Sequence, residues 1–470
     1  MTMRFDARGE GEVTNMNNLM KLSGFGALGA SLFASLPAWA QEATAETAEA
    51  ATEVVAEVVP VMDKGDVSWM MVSTVLVLFM TIPGLALFYG GLVRSKNMLS
   101  ILMQTTVIAC VMMIVWVVYG YSFTFGGSTS PWWGGTGKLF LSGVTPDSMS
   151  ATFSAGYVIP EYLFIAFQMT FAAITPALII GAFAERVKFS AVLVFSVLWA
   201  TFSYFPIAHM VWDANGYLFA KGAIDFAGGT VVHINAGIAA LVGCIVIGQR
   251  VGYGKDNMAP HSMVLTMVGA SMLWVGWFGF NVGSNLEANG GAALAMFNTF
   301  IATAAATLAW AGLESIQRGK ASMLGAASGM VTGLVVITPA CGTVGPMGAI
   351  ALGVIATGFS YFFVTVVKHK MKYDDSLDVF GIHGVAGIVG AILTGVFSAA
   401  TFGGVKGDDY AMLSQLWIQT EGVLITIVWS GVVSYVLFKA IDATIGLRVD
   451  NDTERQGLDL ATHGEQAYHS

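Results

Sequence analysis

From residue 67 onward, apolar runs of about twenty residues alternate with short polar breaks. A helix of that length crosses the hydrocarbon core of a bilayer. The pattern predicts eleven spans, at 67–92, 98–124, 160–183, 189–212, 226–248, 263–283, 291–313, 321–338, 345–367, 378–398 and 416–446.

Composition agrees with an all-α polytopic membrane protein and excludes a soluble globular one. Of the 470 residues, 55% are hydrophobic and 11% are charged, where about 25% charged is ordinary. The 56 glycines suit helices whose backbones approach closely in lipid. Lysine and arginine then set the orientation. With the mature N-terminus outside, the inner loops hold Arg94, Lys96, Arg186, Lys188, Arg250, Lys255, Arg318, Lys320, Lys368, Lys370 and Lys372. The outer side holds only Lys64, Lys138, Lys221 and Lys406. That bias is the positive-inside pattern. Eleven spans from an outside start place the C-terminus inside, where Arg448 and Arg455 fit.

The net charge of −9 is concentrated between Gln41 and Asp66, where Glu42, Glu46, Glu49, Glu53, Glu57, Asp63 and Asp66 face a single Lys64. This stretch, 41–66, reads as a solvated acidic linker outside the membrane. Nothing in the charge distribution suggests nucleic-acid binding. Residues 1–40 read as a leader with a cleavable signal peptide: Lys21, an apolar run from Phe25 to Leu36, then Ala38-Trp39-Ala40 before Gln41. The polar residues 1–15 are unlike a signal n-region and point to Met16 as an alternative start. A signal of this kind implies a Gram-negative bacterium and its inner (cytoplasmic) membrane.

Within the apolar body, His233 opens His-Ile-Asn-Ala-Gly-Ile and His383 opens His-Gly-Val-Ala-Gly-Ile. They fall in spans five and ten. A five-span repeat has an odd number of crossings, so the second copy is inverted: two five-helix repeats and a final helix. Inverted repeats place their site at the interface, near the bilayer midplane. One reading is a pair of neutral imidazoles lining a narrow pore, since burial disfavours the charged form and a neutral ring both donates and accepts. Another is two separate structural histidines. A metal site is a third, but two imidazoles alone make a poor one. Asp225 and Asp378, eight and five residues before their histidines, project from different faces. Cys110, Cys244 and Cys341 are far apart and read as packing residues. No residue pattern calls for a cofactor or metal. There is also no positioned nucleophile or carboxylate pair, so an enzyme is not expected.

Aromatic residues gather toward one side. Phe167 and Phe171 lie a turn apart in span three. Trp277, Phe278 and Phe280 precede Ser284 in span six, and Trp212 ends span four. Interfacial aromatics usually anchor a protein in the membrane. Their faces also attract cations, more strongly when desolvated. An aromatic vestibule above a histidine-lined pore would suit a small cation that leaves a proton behind.

Several segments together resemble the ammonium transporter family (Amt/Mep/Rh), and among its members the bacterial channels. They are Phe-Tyr-Gly-Gly-Leu-Val-Arg-Ser-Lys-Asn (88–97), Gly-Ala-Phe-Ala-Glu-Arg (181–186), Asp-Phe-Ala-Gly-Gly-Thr-Val-Val-His-Ile-Asn (225–235), Asp-Val-Phe-Gly-Ile-His-Gly-Val (378–385) and the tail Gly-Leu-Asp…His-Gly-Glu-Gln-Ala-Tyr (457–468). The resemblance runs from about residue 66 to the C-terminus, so the transporter domain is 67–446 and residues 447–470 form a cytoplasmic regulatory tail. It implies an external ammonium recruitment site of Trp212, Phe171 and Ser284, with Asp225 stabilising it by capping backbone groups. It implies a gate of Phe171 and Phe280 beside Phe167, and His233 and His383 as the pore pair. Asp378 would be structural near the cytoplasmic end. The resemblance further implies a homotrimer with one pore per subunit, regulated at the cytoplasmic face by a PII-type signal protein.

The expected activity is passage of ammonium, as ammonia plus a proton, through a dry pore. The rivals are a sensor that binds ammonium and signals through a cytoplasmic partner, and a Rh-like channel for neutral ammonia. A sensor would share the recruitment site without needing both histidines.

Overall fold

The computed structural model describes residues 4–5 and 60–468. The leader beyond Arg4 and Phe5, its cleavage site, and the acidic stretch up to residue 59 lie outside the described residues. Helix α1 (Lys64–Leu92) starts before the apolar run does. The reason is a cap: the Asp63 carboxylate accepts from the backbone N–H of Gly65 and Asp66, which satisfies donors that a helix start leaves free. The helices that follow are α2 (Ser95–Phe125), α3 (Glu161–Phe183), α4 (Phe189–Ala220), α5 (Gly229–Ile247) and α6 (Met263–Gly283). The second half holds α7 (Gly290–Arg318), α8 (Met323–Ile337), α9 (Pro346–Met371), α10 (Phe380–Phe397) and α11 (Met412–Thr444), and α12 (Asn451–Gln456) lies in the tail.

Among the described residues, 10 helices are long and apolar enough to cross a membrane. Helix α8 is the exception, with 15 residues. It packs against α6, α7, α9 and α10, and its residues from Ala327 to Ile337 are nearly all enclosed. Side-chain caps also set the starts of α6, α7 and α8, at Ser262, Asn289 and Ser322. Gly319, at φ 77°, ends α7 in the left-handed conformation a side chain would resist.

A small four-stranded sheet lies at one end of the bundle, in the order β1 (Arg4–Phe5), β3 (Met149–Ala151), β4 (Tyr157–Pro160), β2 (Val61–Met62). Strands β3 and β4 are antiparallel, with Ser150 opposite Ile159, and β2 runs parallel to β4. This sheet face is opposite the basic face, which carries the loops with Arg94, Arg186 and Arg250.

Enclosure is uneven. Of the most apolar stretch of each helix, 83% is buried in α3 and 78% in α5, against 28% in α11. The middle of the bundle is therefore α3, α5 and α10, with α11 covering α5 and α10 from outside. Helices α5 and α10 each pack on the opening turn of the other. At Gly237 an added Cβ would sit 2.3 Å from the Gly384 Cα, and at Gly387 one would meet His233 Cβ at 3.2 Å. The glycine shared by the two His-x-x-Ala-Gly-Ile motifs is thus what lets these backbones touch.

Replacing Gly237 by valine should force the two helices apart and destabilise the protein by about 1–3 kcal/mol, the usual cost of overpacking a tight contact. A lowered thermal-unfolding midpoint in detergent is the expected result. An unchanged midpoint would show that the crossing has slack.

Candidate functional site

The close crossing of α5 and α10 brings the two histidines together. His233 Nδ1 and His383 Nδ1 are 3.2 Å apart, with ring centroids 5.3 Å apart and planes inclined by 19°. Both rings are buried. Each sits in a widened first turn, Gly229–Ile234 or Phe380–Gly384. In the first of these the His233 N–H reaches back five residues to the Gly228 carbonyl. Such widened turns recur at functional positions in helices. One of the two Nδ1 atoms must donate and the other accept, so the pair shares one proton along its contact.

The space beside the pair is narrow and apolar. It measures ≈ 10 Å³ and is lined by Leu85, Phe88, Ile174, Leu273, Trp277 and the two histidines, among others. That is about enough room for one water-sized molecule. Trp277 stacks on His233 at 5.3 Å and donates its indole N–H to Thr338 Oγ1. His233 Nε2 is buried and has no hydrogen-bond partner in the protein. An enclosed polar atom left this way is costly unless something else satisfies it.

Toward the sheet face, Phe171 and Phe280 stack with centroids 4.1 Å apart, and Phe280 also lies 5.9 Å from the His233 ring. Above them opens a vestibule of ≈ 540 Å³, whose lining includes Trp212, Phe167, Phe171, Asp225 and Ser284. The Trp212 and Phe171 rings meet edge to face at 5.8 Å. Phe167 meets Phe171 edge to face at 5.0 Å and stands beside the stacked pair. The Ser284 hydroxyl donates to the Phe280 carbonyl, which leaves its oxygen lone pairs available.

Asp225 caps the start of α5. Its carboxylate accepts from Gly228, Thr230 and Val231 N–H, and its carbonyl accepts from the Trp212 indole at 3.0 Å. The corresponding cap on α10 is Asp375, which accepts from Val379 and Phe380 N–H. Sequence reasoning singled out Asp378 and missed Asp375. Asp378 instead pairs with Lys368, at a basic-face opening of ≈ 370 Å³ lined by Phe88, Ile382 and Arg250 as well. The available signal was spacing. Asp375 precedes His383 by the same interval that separates Asp225 from His233. Trp277 was noticed only as one of a cluster, and nothing in the sequence marked it as the histidine's partner. Among the described residues no group of His, Cys, Asp and Glu could hold a metal ion.

Burial pushes the Asp225 carboxyl up to about 6, against the pull of the Val231, Thr230 and Gly228 N–H groups. An unfolded aspartate releases its proton at about pH 4. Between about pH 4 and 6 the folded chain therefore holds a proton the unfolded chain has lost, and stability falls as pH rises through that window. The thermal midpoint of the wild type, measured against Asp225→Asn, should show its largest advantage at the acid end. A difference that does not change with pH would contradict this.

The chain is similar to proteins of known kind along most of its length. The model of the Ammonium Transporter Family matches residues 68–468. An ammonium transporter of Aquifex aeolicus is 48% identical over 412 residues, covering 87% of this chain and 94% of the relative. One from Bacillus subtilis is 45% identical, covering 87% and 99%. Among solved structures, a sensor Amt protein superposes with TM-score 0.78 at 27% identity, covering 85% of this chain and 98% of that one. Saccharomyces cerevisiae Mep2 does so with TM-score 0.75 at 33% identity, covering 83% and 88%. This chain is a multi-pass membrane protein and belongs to the ammonium transporter family.

Proposed function

We propose that the protein carries ammonium across the membrane as ammonia plus a proton, past the His233–His383 pair. The observation that carries this reading is the pair itself: two imidazoles 3.2 Å apart in an apolar passage, behind a stacked aromatic gate. Ammonium settles in the vestibule against the Trp212 and Phe171 faces, with Ser284 accepting one N–H. Phe171 and Phe280 close the way below, with Phe167 bracing Phe171. An N–H bond then breaks. The proton joins the unpartnered Nε2 of His233, and the neutral ammonia enters the narrow space. The shared Nδ1 contact lets a proton leave one ring as another arrives, so the pair relays charge that ammonia no longer bears. On the far side ammonia takes a proton again. Potassium has no proton to give up, and a bare charge in this passage costs several kcal/mol.

The topology that goes with this reading is eleven crossings, as two inverted five-helix halves and a final helix. The N-terminus lies outside and the C-terminus inside, in a bacterial inner membrane. The lysine and arginine bias supports the orientation, and the reciprocal packing of α5 and α10 supports the inverted halves. The sheet face is then external and the basic face cytoplasmic. Asp225 steadies the recruitment site by capping α5 and holding the Trp212 indole. Asp378 is structural at the inner mouth. The protein acts as a homotrimer, consistent with exposed apolar side chains such as Val75, Phe359 and Phe362.

The tail is a regulatory surface for a PII-type signal protein. Its support is the way the tail is fastened to the inner loops. The Asp459 carboxylate accepts from Leu99 and Ser100 N–H at the start of α2. Glu454 pairs with Arg448 and accepts from Val251 N–H.

Reconstituted in liposomes, the wild type should pass current on an ammonium jump and none on a potassium jump. His233→Ala should lose the current or carry potassium as well. An internal pH rise without current would replace this reading with a neutral ammonia channel. Ammonium binding with neither signal would replace it with a sensor.

A further inference from the structure

One buried histidine is not part of the pore. His209 lies on α4, one turn before Trp212, and is 0% exposed. Its Nδ1 is 2.7 Å from the Thr124 carbonyl oxygen, and its Nε2 is 2.7 Å from the Ser130 carbonyl oxygen. Both partners can only accept. A neutral imidazole would have to turn a lone pair on one of them at hydrogen-bond distance. Turning the ring over would place carbon atoms where both nitrogens now stand, and leave both oxygens without a donor. Only the imidazolium donates at both ends. A counter-charge is at hand, with Asp213 Oδ2 4.0 Å from Nδ1. Asp213 is itself held in place, accepting from Asn215 N–H.

The two oxygens belong to different pieces of the vestibule wall. Thr124 is in the last turn of α2. Ser130 is in the loop that follows, next to Pro131, whose carbonyl accepts from Tyr217 N–H. Phe125, beside Thr124, lines the vestibule with Trp212. His209 therefore ties the end of α2 and the loop after it to the turn of α4 that carries Trp212. The geometry points to His209 as a doubly protonated positioning residue that fixes where Trp212 presents its ring. This inference rests on the reading of Trp212 as the recruiting face. The charge itself is spent within the wall, on two carbonyls and a carboxylate, and takes no part in passing the proton.

Two measurements test it. In ¹⁵N spectra of histidine-labelled protein at neutral pH, with His209→Arg used for assignment, both His209 nitrogens should carry a proton. A lone-pair signal from either nitrogen overturns the inference, whatever transport does. In liposomes, Trp212→Leu and His209→Gln should each raise half-saturation for ammonium by about tenfold, the scale of one cation–π contact, with maximal rates little changed. His209→Arg keeps a cation and several donors and should restore most of the affinity. A merely structural role would lower the maximal rate or the thermal midpoint of His209→Gln and leave half-saturation where it was. If Trp212→Leu shifts half-saturation and His209→Gln does not, the inference fails and the recruitment reading stands. If neither shifts it, both fail.

Discussion

Everything in the site depends on how closely two helix backbones can approach. A Cβ on Gly237 would meet the Gly384 Cα at 2.3 Å, and that close approach sets the distance between His233 and His383. With any larger residue there, the helices would stand further apart. The rings would then separate, and water would fill the gap. The low dielectric around the pair would be lost with it. Small residues do this in membrane helices because lipid offers no hydrophobic drive to pull helices together, so packing has to supply it.

On the proposed reading, dryness decides between ions. In the vestibule, wide enough for a hydrated ion, ammonium and potassium differ little in size or charge. The distinction would arise at the stacked Phe171 and Phe280, below which the passage has about the volume of one small molecule. There a charge would meet few dipoles to replace its water. On that reading protonation state is the selected property, and among the described residues the ionisable side chains lining that narrow stretch are the two histidines. On the same reading the vestibule holds a cation briefly, by π faces and a hydroxyl. Among the described residues its one lining aspartate, Asp225, is committed to three backbone N–H groups, so a cation there would meet no strong fixed anion that would trap it.

Much of this could be read from the chain. The helix positions follow from apolar run length, and their ends differ from the reading by a few residues where a cap such as Asp63 intervenes. The histidines were legible because a buried ionisable group is costly and the same motif frames both. The vestibule aromatics were legible mainly through the family resemblance. What could not be read was contact across the fold. Asp378 was conspicuous beside the motif, yet its carboxylate turns to Lys368, while Asp375 caps α10. Which carboxylate points at the helix start depends on a loop conformation that hydropathy does not encode. No motif or hydropathy pattern marks His209. The role inferred for it rests on two carbonyl oxygens more than 75 residues away in the chain.

At the basic face, the same physics works with charges. Arg94 and Arg250 share Glu185, and Arg250 and Arg186 share Asp374. Burial opposes the charge on Glu185, but Arg250 and Arg94 hold its carboxyl below the usual range, and Arg250 and Arg186 do the same for Asp374. Arg186 is fully buried and also donates to the carbonyls of Ala182, Ala184, Gly248 and Asp374. Such a network is a poor source of net stability, because desolvation consumes most of the attraction. Its value is geometric. It locks the loops after α3, α5 and α9 to one another, directly beside Asp375 and hence beside the first turn of α10. The loop below the histidine at that turn is thereby held by the Arg186–Asp374, Arg250–Asp374 and Lys368–Asp378 pairs.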